Sequence, residues 1–334
     1  MANKNPSKPR PQAARRAAPM VLPPYGHINA DNASYLARRP VPDGFRLIPA
    51  QPAVSGADEW ERWLARLAGQ MSDFLWPVFL QGRWEGAAAA NAVALTEADL
   101  ALMAGAALDR LDARIVTAAG PSARQRTAWQ LEDDAPPGPS FDLYGAPWPK
   151  ALESEVTRAV LSGGIDLARP ASQGLKRLFQ RPRPQLTSLL LGRPALQVLP
   201  SKSAITPSMV SGHCIQGMLA LAQVFVAMRP VLDAKPELSA LVQRFWIDTG
   251  DRRVFAGLHY PSDNVGSWYA SLRLCPHLFG ADALEVRDFL WKAIRKRSAV
   301  FHALQQAVTQ APESPYALLM RHLASAAAGK EPPV

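Results

Sequence analysis

Apolar side chains recur at three- and four-residue intervals through most of the chain, whereas the alternation of a half-buried strand never persists. Such spacing is typical of amphipathic helices. The pattern from Asp58 predicts a helix that ends before Pro77, because proline removes a backbone N–H from the helix. Thr96-Glu97-Ala98-Asp99 has the form of a helix N-cap, so a second helix is predicted to follow it and to end at Gly120-Pro121.

The same spacing, with Gly and Pro at its boundaries, predicts further helices along the rest of the chain. Their expected ranges are 150–162, 165–180, 212–228, 237–250, a helix from about Pro261, 283–304 and 315–327. The fold class is therefore predicted to be all-α, a bundle of eight to ten helices.

The composition changes along the chain and divides it into three parts. Residues 1–55 are Pro-rich and basic, and we expect an extended or disordered tail. Residues 56–149 are expected to hold the N-terminal helices and a long Pro-rich loop at 121–149. Residues 150–334 are predicted to be the catalytic helical core, in one compact domain with 56–149.

The most apolar stretch runs from Ile215 to Met228 and is 14 residues long. Because a membrane span needs about 20 apolar residues, this stretch predicts a core helix, and we expect no membrane span. The N-terminus lacks the apolar run of a signal peptide, and Cys214 and Cys275 provide no disulfide framework. We therefore expect a soluble, cytoplasmic protein, with the formation of a homo-oligomer left open.

The chain is basic, with a net charge of +9 and a pI near 9.8. Much of the excess lies in the first forty residues, where seven Lys and Arg residues face one acid, Asp31. A basic tail weakens the case for a folded groove, and no aromatic-basic interleaving is present, so nucleic acid is not expected as a partner. A small anionic substrate remains the expected partner.

Three short clusters carry the candidate chemistry. They are Lys176 with Arg183-Pro184, then Ser211-Gly212-His213, then Arg253 with His259 and Asp263. Lysine and arginine bind oxyanions, and Ser211 is placed to cap the apolar helix, which would open the amides of Gly212 and His213 to an anion. His259 and Asp263 are four residues apart near a predicted helix start, where a carboxylate can fix the imidazole tautomer.

Each cluster has an ordinary explanation when taken alone. Lys176 and Arg183 fit a solvated helix face, Ser211-Gly212-His213 fits a plain helix cap, and His259 with Asp263 fits a structural hydrogen bond. Their occurrence together, in this order, favours one pocket for a tetrahedral oxyanion.

The three clusters resemble the signature of the type 2 phosphatidic acid phosphatase (PAP2) superfamily, which includes acid phosphatases, lipid phosphatases and vanadium-dependent haloperoxidases. That signature is Lys-x6-Arg-Pro, then Pro-Ser-Gly-His, then Ser-Arg-x5-His-x3-Asp. Two positions depart from it: Val210 stands for the proline of the second part, and Arg252 for the serine of the third. The resemblance covers about ninety residues and implies a helical bundle.

The resemblance implies a role for each matching residue. His259 would attack phosphorus and form a phosphohistidine, Asp263 would orient it, and His213 would protonate the leaving oxygen and later activate water. Oxygens of the phosphate would be held by the matching cations and by amides near Ser211 and Gly212; the cations are Lys176, Arg183 and Arg253. No metal or other cofactor is expected for this reaction.

A vanadium-dependent haloperoxidase is the main alternative, with vanadate in the same pocket and His259 as its ligand. Chloride-type members have tryptophan three residues before the lysine and phenylalanine seven before the second-part histidine, where this chain has Gln173 and Thr206. This difference favours a phosphatase of phosphomonoesters. A non-catalytic phosphate-binding protein is a third hypothesis, and the retention of His213 and His259 speaks against it.

Overall fold

The computed structural model describes residues 59–75, 87–105, 142–143, 146–147, 164–179, 181–190, 193, 196, 206–332 and 334. Ten α-helices lie in these residues: α1 Glu59–Leu75, α2 Ala87–Ala104, α3 Gly164–Phe179, α4 Pro184–Leu190, α5 Gly212–Ala234, α6 Pro236–Phe255, α7 Pro261–Phe279, α8 Ala283–Arg297, α9 Ala299–Gln310 and α10 Pro315–Ala327. A 3-10 helix, Gly280–Asp282, joins α7 to α8, and two antiparallel two-residue strands pair Asp142–Leu143 with Ala146–Pro147. The predicted all-α class is confirmed.

Helix α5 lies at the centre of the core and packs against α3, α6, α7 and α8. Glycine permits close packing with α6, because a Cβ at Gly217 would overlap the carbonyl oxygen of Trp246 and one at Gly250 would lie 2.8 Å from the Cys214 sulfur. Helix α7 is buried from Pro261 to Cys275 and packs against α5, α8 and α10. Helix α5 carries Gly212 and His213 of the second cluster, and α7 carries Asp263 of the third.

Helix α5 also has the length and apolar composition of a membrane-crossing helix, with a mean hydropathy of 1.5 in its most apolar window. Of that window, 61% is buried inside the protein, and core helices of soluble proteins can have the same length and composition. The burial agrees with the predicted core helix.

The prediction that Thr96-Glu97-Ala98-Asp99 begins a helix is wrong. Helix α2 already runs from Ala87 to Ala104, because the alanine-rich segment before Thr96 has high helix propensity. The side chain of Thr96 accepts a hydrogen bond from Arg181 at 3.5 Å instead of capping a helix, and Asp99 also contacts Arg181.

Other predicted helix boundaries also differ from the structure. Helix α5 continues through Pro230 to Ala234, and Pro230 has no N–H to donate to the carbonyl of Val226, a residue exposed to solvent. The predicted helix at 283–304 is two helices divided at Ser298. Ser298 is the N-cap of the second helix, with its hydroxyl accepting from the Phe301 amide at 3.0 Å. Asp251 also accepts from the amides of Ala299 (2.8 Å) and Val300 (3.3 Å).

Helix α6 extends to Phe255 rather than ending near Gly250, and α4 was not predicted. The tail at 1–55, the helix at 150–162 and most of the loop at 121–149 lie outside the described residues. The division into three parts stays a prediction.

Candidate active site

Lys176 lies in the last turn of α3 and is buried. Its ammonium donates hydrogen bonds to the carbonyls of Pro207 and Ser208, the latter at 3.5 Å. The first cluster is thereby joined to the segment that leads into the second.

Arg183 follows α3 in the stiff segment Arg181-Pro182-Arg183-Pro184 and is buried. Its guanidinium donates to the Thr206 carbonyl at 2.7 Å, the Thr206 hydroxyl at 3.2 Å and the Leu258 carbonyl at 2.6 Å. The same group lies 3.0 Å from Nε2 of His259. Arg183 therefore contacts His259 of the third cluster and Thr206, in the segment that leads into the second.

His259 is positioned by the turn between α6 and α7. Gly257 has φ 71°, in the left-handed region that favours glycine, and the turn lets the amides of Leu258 and His259 both donate to the Arg253 carbonyl. Helix α7 then begins at Pro261, a residue suited to a first helical position. The short turn places the buried imidazole beside its own helix.

The proton of neutral His259 can be assigned from its neighbours. Arginine can only donate, so the contact with Arg183 makes Nε2 the acceptor and leaves the proton on Nδ1. Nδ1 faces Oδ2 of Asp263 at 3.3 Å, and that oxygen also accepts from the Tyr260 amide at 2.9 Å. The predicted pair is therefore in contact, with Nε2 of His259 directed at Arg183.

Ser211 caps α5, as the sequence predicts. Its hydroxyl accepts a hydrogen bond from the Cys214 amide at 3.3 Å. Gly212 and His213 are therefore the first two residues of the helix. The Ser267 hydroxyl accepts from the Ser211 amide at 2.9 Å and donates to the Asp263 carbonyl at 2.7 Å. Ser267 thus fixes the helix start relative to the third cluster.

Burial and mutual repulsion lower the pKa values of the cations. Burial, then Arg183, lowers the pKa of Lys176 well below its usual value, and burial with Arg253 lowers that of Arg183 to about 9. Burial, then Arg183, also lowers the pKa of His259, so the imidazole is neutral at neutral pH. Burial would raise the pKa of Asp263, but Arg181 and His259 hold it well below its usual range. Arg253 is fully buried and helps to lower the pKa values of both Lys176 and Arg183, so it belongs to the same charge cluster.

Sequence reasoning missed several residues of this site. Arg181 lies two residues before Arg183 and donates to Asp263 at 2.8 Å. Ser267 and Thr206 were also missed as positioning groups. Alternation of Arg and Pro was a signal for Arg181, whereas a serine one helical turn after Asp263 carries no distinctive signal.

Residues 158–281 match the family model of the PAP2 superfamily. This range contains all three clusters, from Lys176 to Asp263, and the match confirms the resemblance. It supports a phosphatase-type or haloperoxidase-like activity, with small phosphorylated molecules as the substrates that the family implies. No curated protein and no solved structure matches the chain.

Proposed function

We propose that this chain is a soluble, cytoplasmic phosphatase that hydrolyses phosphomonoesters through a phosphohistidine at His259, without a metal ion. The observation that carries the proposal is the surplus of buried positive charge around a neutral, oriented imidazole. The family match supports the same class of chemistry.

Buried cations outnumber buried carboxylates in this cluster by four to two; the cations are Lys176, Arg181, Arg183 and Arg253, and the carboxylates are Asp99 and Asp263. With all six groups ionised the cluster carries +2, the charge that a phosphate monoester dianion neutralises. Buried charge without a counter-charge is costly, so the surplus favours a dianionic ligand.

In the first step, Nε2 of His259 attacks phosphorus as the bond from phosphorus to the ester oxygen breaks. Asp263 accepts the Nδ1 hydrogen bond and so stabilises the positive charge that develops on the ring. His213, in the first turn of α5, donates a proton to the leaving oxygen, which departs as an alcohol.

In the second step, His213 takes a proton from water as the water oxygen attacks the phosphohistidine. The bond from phosphorus to Nε2 breaks and inorganic phosphate leaves, with His259 neutral again. Lys176, Arg183 and Arg253 hold the equatorial oxygens in both steps, together with amides at the start of α5, where the helix dipole favours an anion.

Trapping of the intermediate tests the proposal. The purified protein, mixed with ³²P-labelled p-nitrophenyl phosphate and quenched, should carry acid-labile, alkali-stable label, and His259→Ala should carry none. His213→Ala should accumulate label, because p-nitrophenolate leaves without a proton whereas water still needs a base. An exposed histidine, His302, provides the matched control, and His302→Ala should resemble wild type.

Vanadate separates this proposal from the alternative. The cations and the Nε2 acceptor of His259 also fit vanadate, which would supply peroxide activation for halide oxidation. Vanadate should inhibit phosphate release, with no bromination from bromide and hydrogen peroxide. Bromination that requires vanadate, with no labelled phosphohistidine, would overturn the phosphatase assignment.

A further inference from the structure

A fully buried carboxylate on α2 lies outside the family match yet reaches the site. Asp99 accepts from Arg181 at 3.1 Å and from the Ser262 amide at 3.2 Å, and it bonds the Ser262 hydroxyl. The Tyr316 hydroxyl of α10 donates to it at 3.1 Å. Donors from three distant parts of the chain therefore converge on one side chain.

Arg181 lies between this carboxylate and the one beside the catalytic histidine. One end of its guanidinium contacts Asp99, while Nη1 donates to Asp263 at 2.8 Å and to the Ser262 hydroxyl at 2.7 Å. The guanidinium also lies over the Tyr260 ring, 3.8 Å from its centroid. Its position is thus fixed on several sides.

The two carboxylate oxygens of Asp263 have different partners. Oδ1 accepts a hydrogen bond from Arg181, whereas Oδ2 accepts one from the Tyr260 amide and faces Nδ1 of His259. A guanidinium that faced Asp263 alone would draw its negative charge away from His259. A second carboxylate on the far side of Arg181 shares that positive charge and leaves Asp263 a stronger acceptor.

We propose that Asp99 is a positioning residue of the active site, which acts through Arg181 to hold Asp263 and keep the proton of His259 on Nδ1. Helix α2 is then part of the catalytic apparatus, although it lies outside the family match. The inference rests on the proposed role of His259 as the nucleophile.

Kinetics of Asp99→Asn, Arg181→Gln and the double variant, on p-nitrophenyl phosphate at pH 7, test this path. Asp99→Asn should lower kcat at least tenfold with KM changed less than threefold, since substrate does not touch Asp99. The double variant should be no slower than Arg181→Gln alone, because both substitutions break one path. A kcat within twofold of wild type, or effects that multiply in the double variant, would overturn the proposal.

Asp251→Asn is the matched control. Asp251 is also fully buried, and burial raises its pKa to about 6, as it does for Asp99. Its carboxylate accepts from neutral donors, the Ser298 hydroxyl and the first amides of α9, rather than from Arg181. Asp251→Asn should therefore lower stability while kcat stays within twofold; an equal loss of kcat would mean that any buried aspartate has this effect.

Histidine ring ¹⁵N spectra provide a readout that needs no turnover. The His259 signal, assigned by its loss in His259→Gln, should show the Nδ1–H tautomer in wild type and a mixture of tautomers in Asp99→Asn. Tyr316→Phe, a milder change that removes one donor to Asp99, should shift the signal in the same direction. An unchanged tautomer in both variants would refute the positioning role even if wild type proved to have no phosphatase activity, and a changed tautomer would support it in that case too.

Discussion

Substitution of Gly212, the first residue of α5, can test anion binding without disturbing the fold. A Cβ at this position would lie 3.4 Å from the Ser172 hydroxyl and 3.7 Å from the Ser172 Cβ, which is ordinary contact. Alanine therefore fits the folded protein. We expect Gly212→Ala to change the free energy of unfolding by less than about 1 kcal/mol.

The same methyl group should obstruct an anion that approaches the first amides of α5. A hydrogen bond to a charged group contributes about 1.5–3 kcal/mol, and about 1.4 kcal/mol corresponds to a factor of ten. Loss of one such bond predicts a decrease in kcat/KM of about 10- to 100-fold, with weaker inhibition by inorganic phosphate.

Initial rates on p-nitrophenyl phosphate and urea unfolding, both on the same preparation, measure the two effects. Gly69→Ala in α1 is a control with no atom of the described residues within 4 Å, so it should leave activity unchanged and add about 0.5–1 kcal/mol of stability. Gly217→Ala is the opposite control, because its Cβ would overlap the Trp246 carbonyl and should cost about 1–3 kcal/mol. If Gly212→Ala folds normally and keeps kcat/KM within twofold, the anion does not approach this helix start.

Three further changes test other parts of the site. Ser267→Ala leaves the Ser211 amide without its acceptor and should lower the free energy of unfolding by about 1–3 kcal/mol in urea titrations; a smaller change would contradict this role of the hydroxyl. Burial raises the pKa of Asp99 from 3.8 to about 6, so the folded protein binds the extra proton in this window and stability falls as pH rises through it. Urea unfolding at the two ends of this pH window should therefore show that the free energy of unfolding of wild type falls by about 3 kcal/mol more than that of Asp99→Asn. An equal pH dependence of the two unfolding free energies would refute the assignment. Thr206→Val removes the hydroxyl that accepts from Arg183 but keeps the carbonyl contact, so KM should rise about fivefold, equivalent to about 1 kcal/mol, while kcat changes little.

The residues of the three clusters could be recognised from sequence because their chemical types and spacings are local features. Lys176 to Arg183 and His259 to Asp263 each lie within about two helical turns, and Ser211 precedes an apolar helix. Taken alone, Lys176 fitted a solvated helix face, whereas the three clusters together predicted a pocket. In the structure Lys176 is buried, and its ammonium donates to the carbonyl of Pro207, 31 residues away along the chain.

Asp99 shows the limit of sequence reasoning most clearly. In the sequence it looked like part of a helix N-cap, because capping depends on a four-residue pattern. In the structure it bonds Arg181, 82 residues away, and Tyr316, 217 residues away. A local pattern contains no information about partners at such separations.

Helix boundaries follow the same distinction only in part. The starts of α7 and α10 were predicted because Pro261 and Pro315 act within one turn. The break at Ser298 was missed although Ser298 is itself the N-cap of α9, which is a local signal. The carboxylate of Asp251, which also accepts from the first amides of α9, comes from another helix.

The sequence alone therefore determined the helical class of the protein and the chemical groups of its candidate site, since periodicity, caps and motif spacing act over a few residues. Tertiary structure decided which of those groups are buried, which nitrogen of His259 carries the proton, and which carboxylate balances Arg181. These properties depend on packing between helices distant in sequence, and a buried charge is determined by the partners that packing supplies.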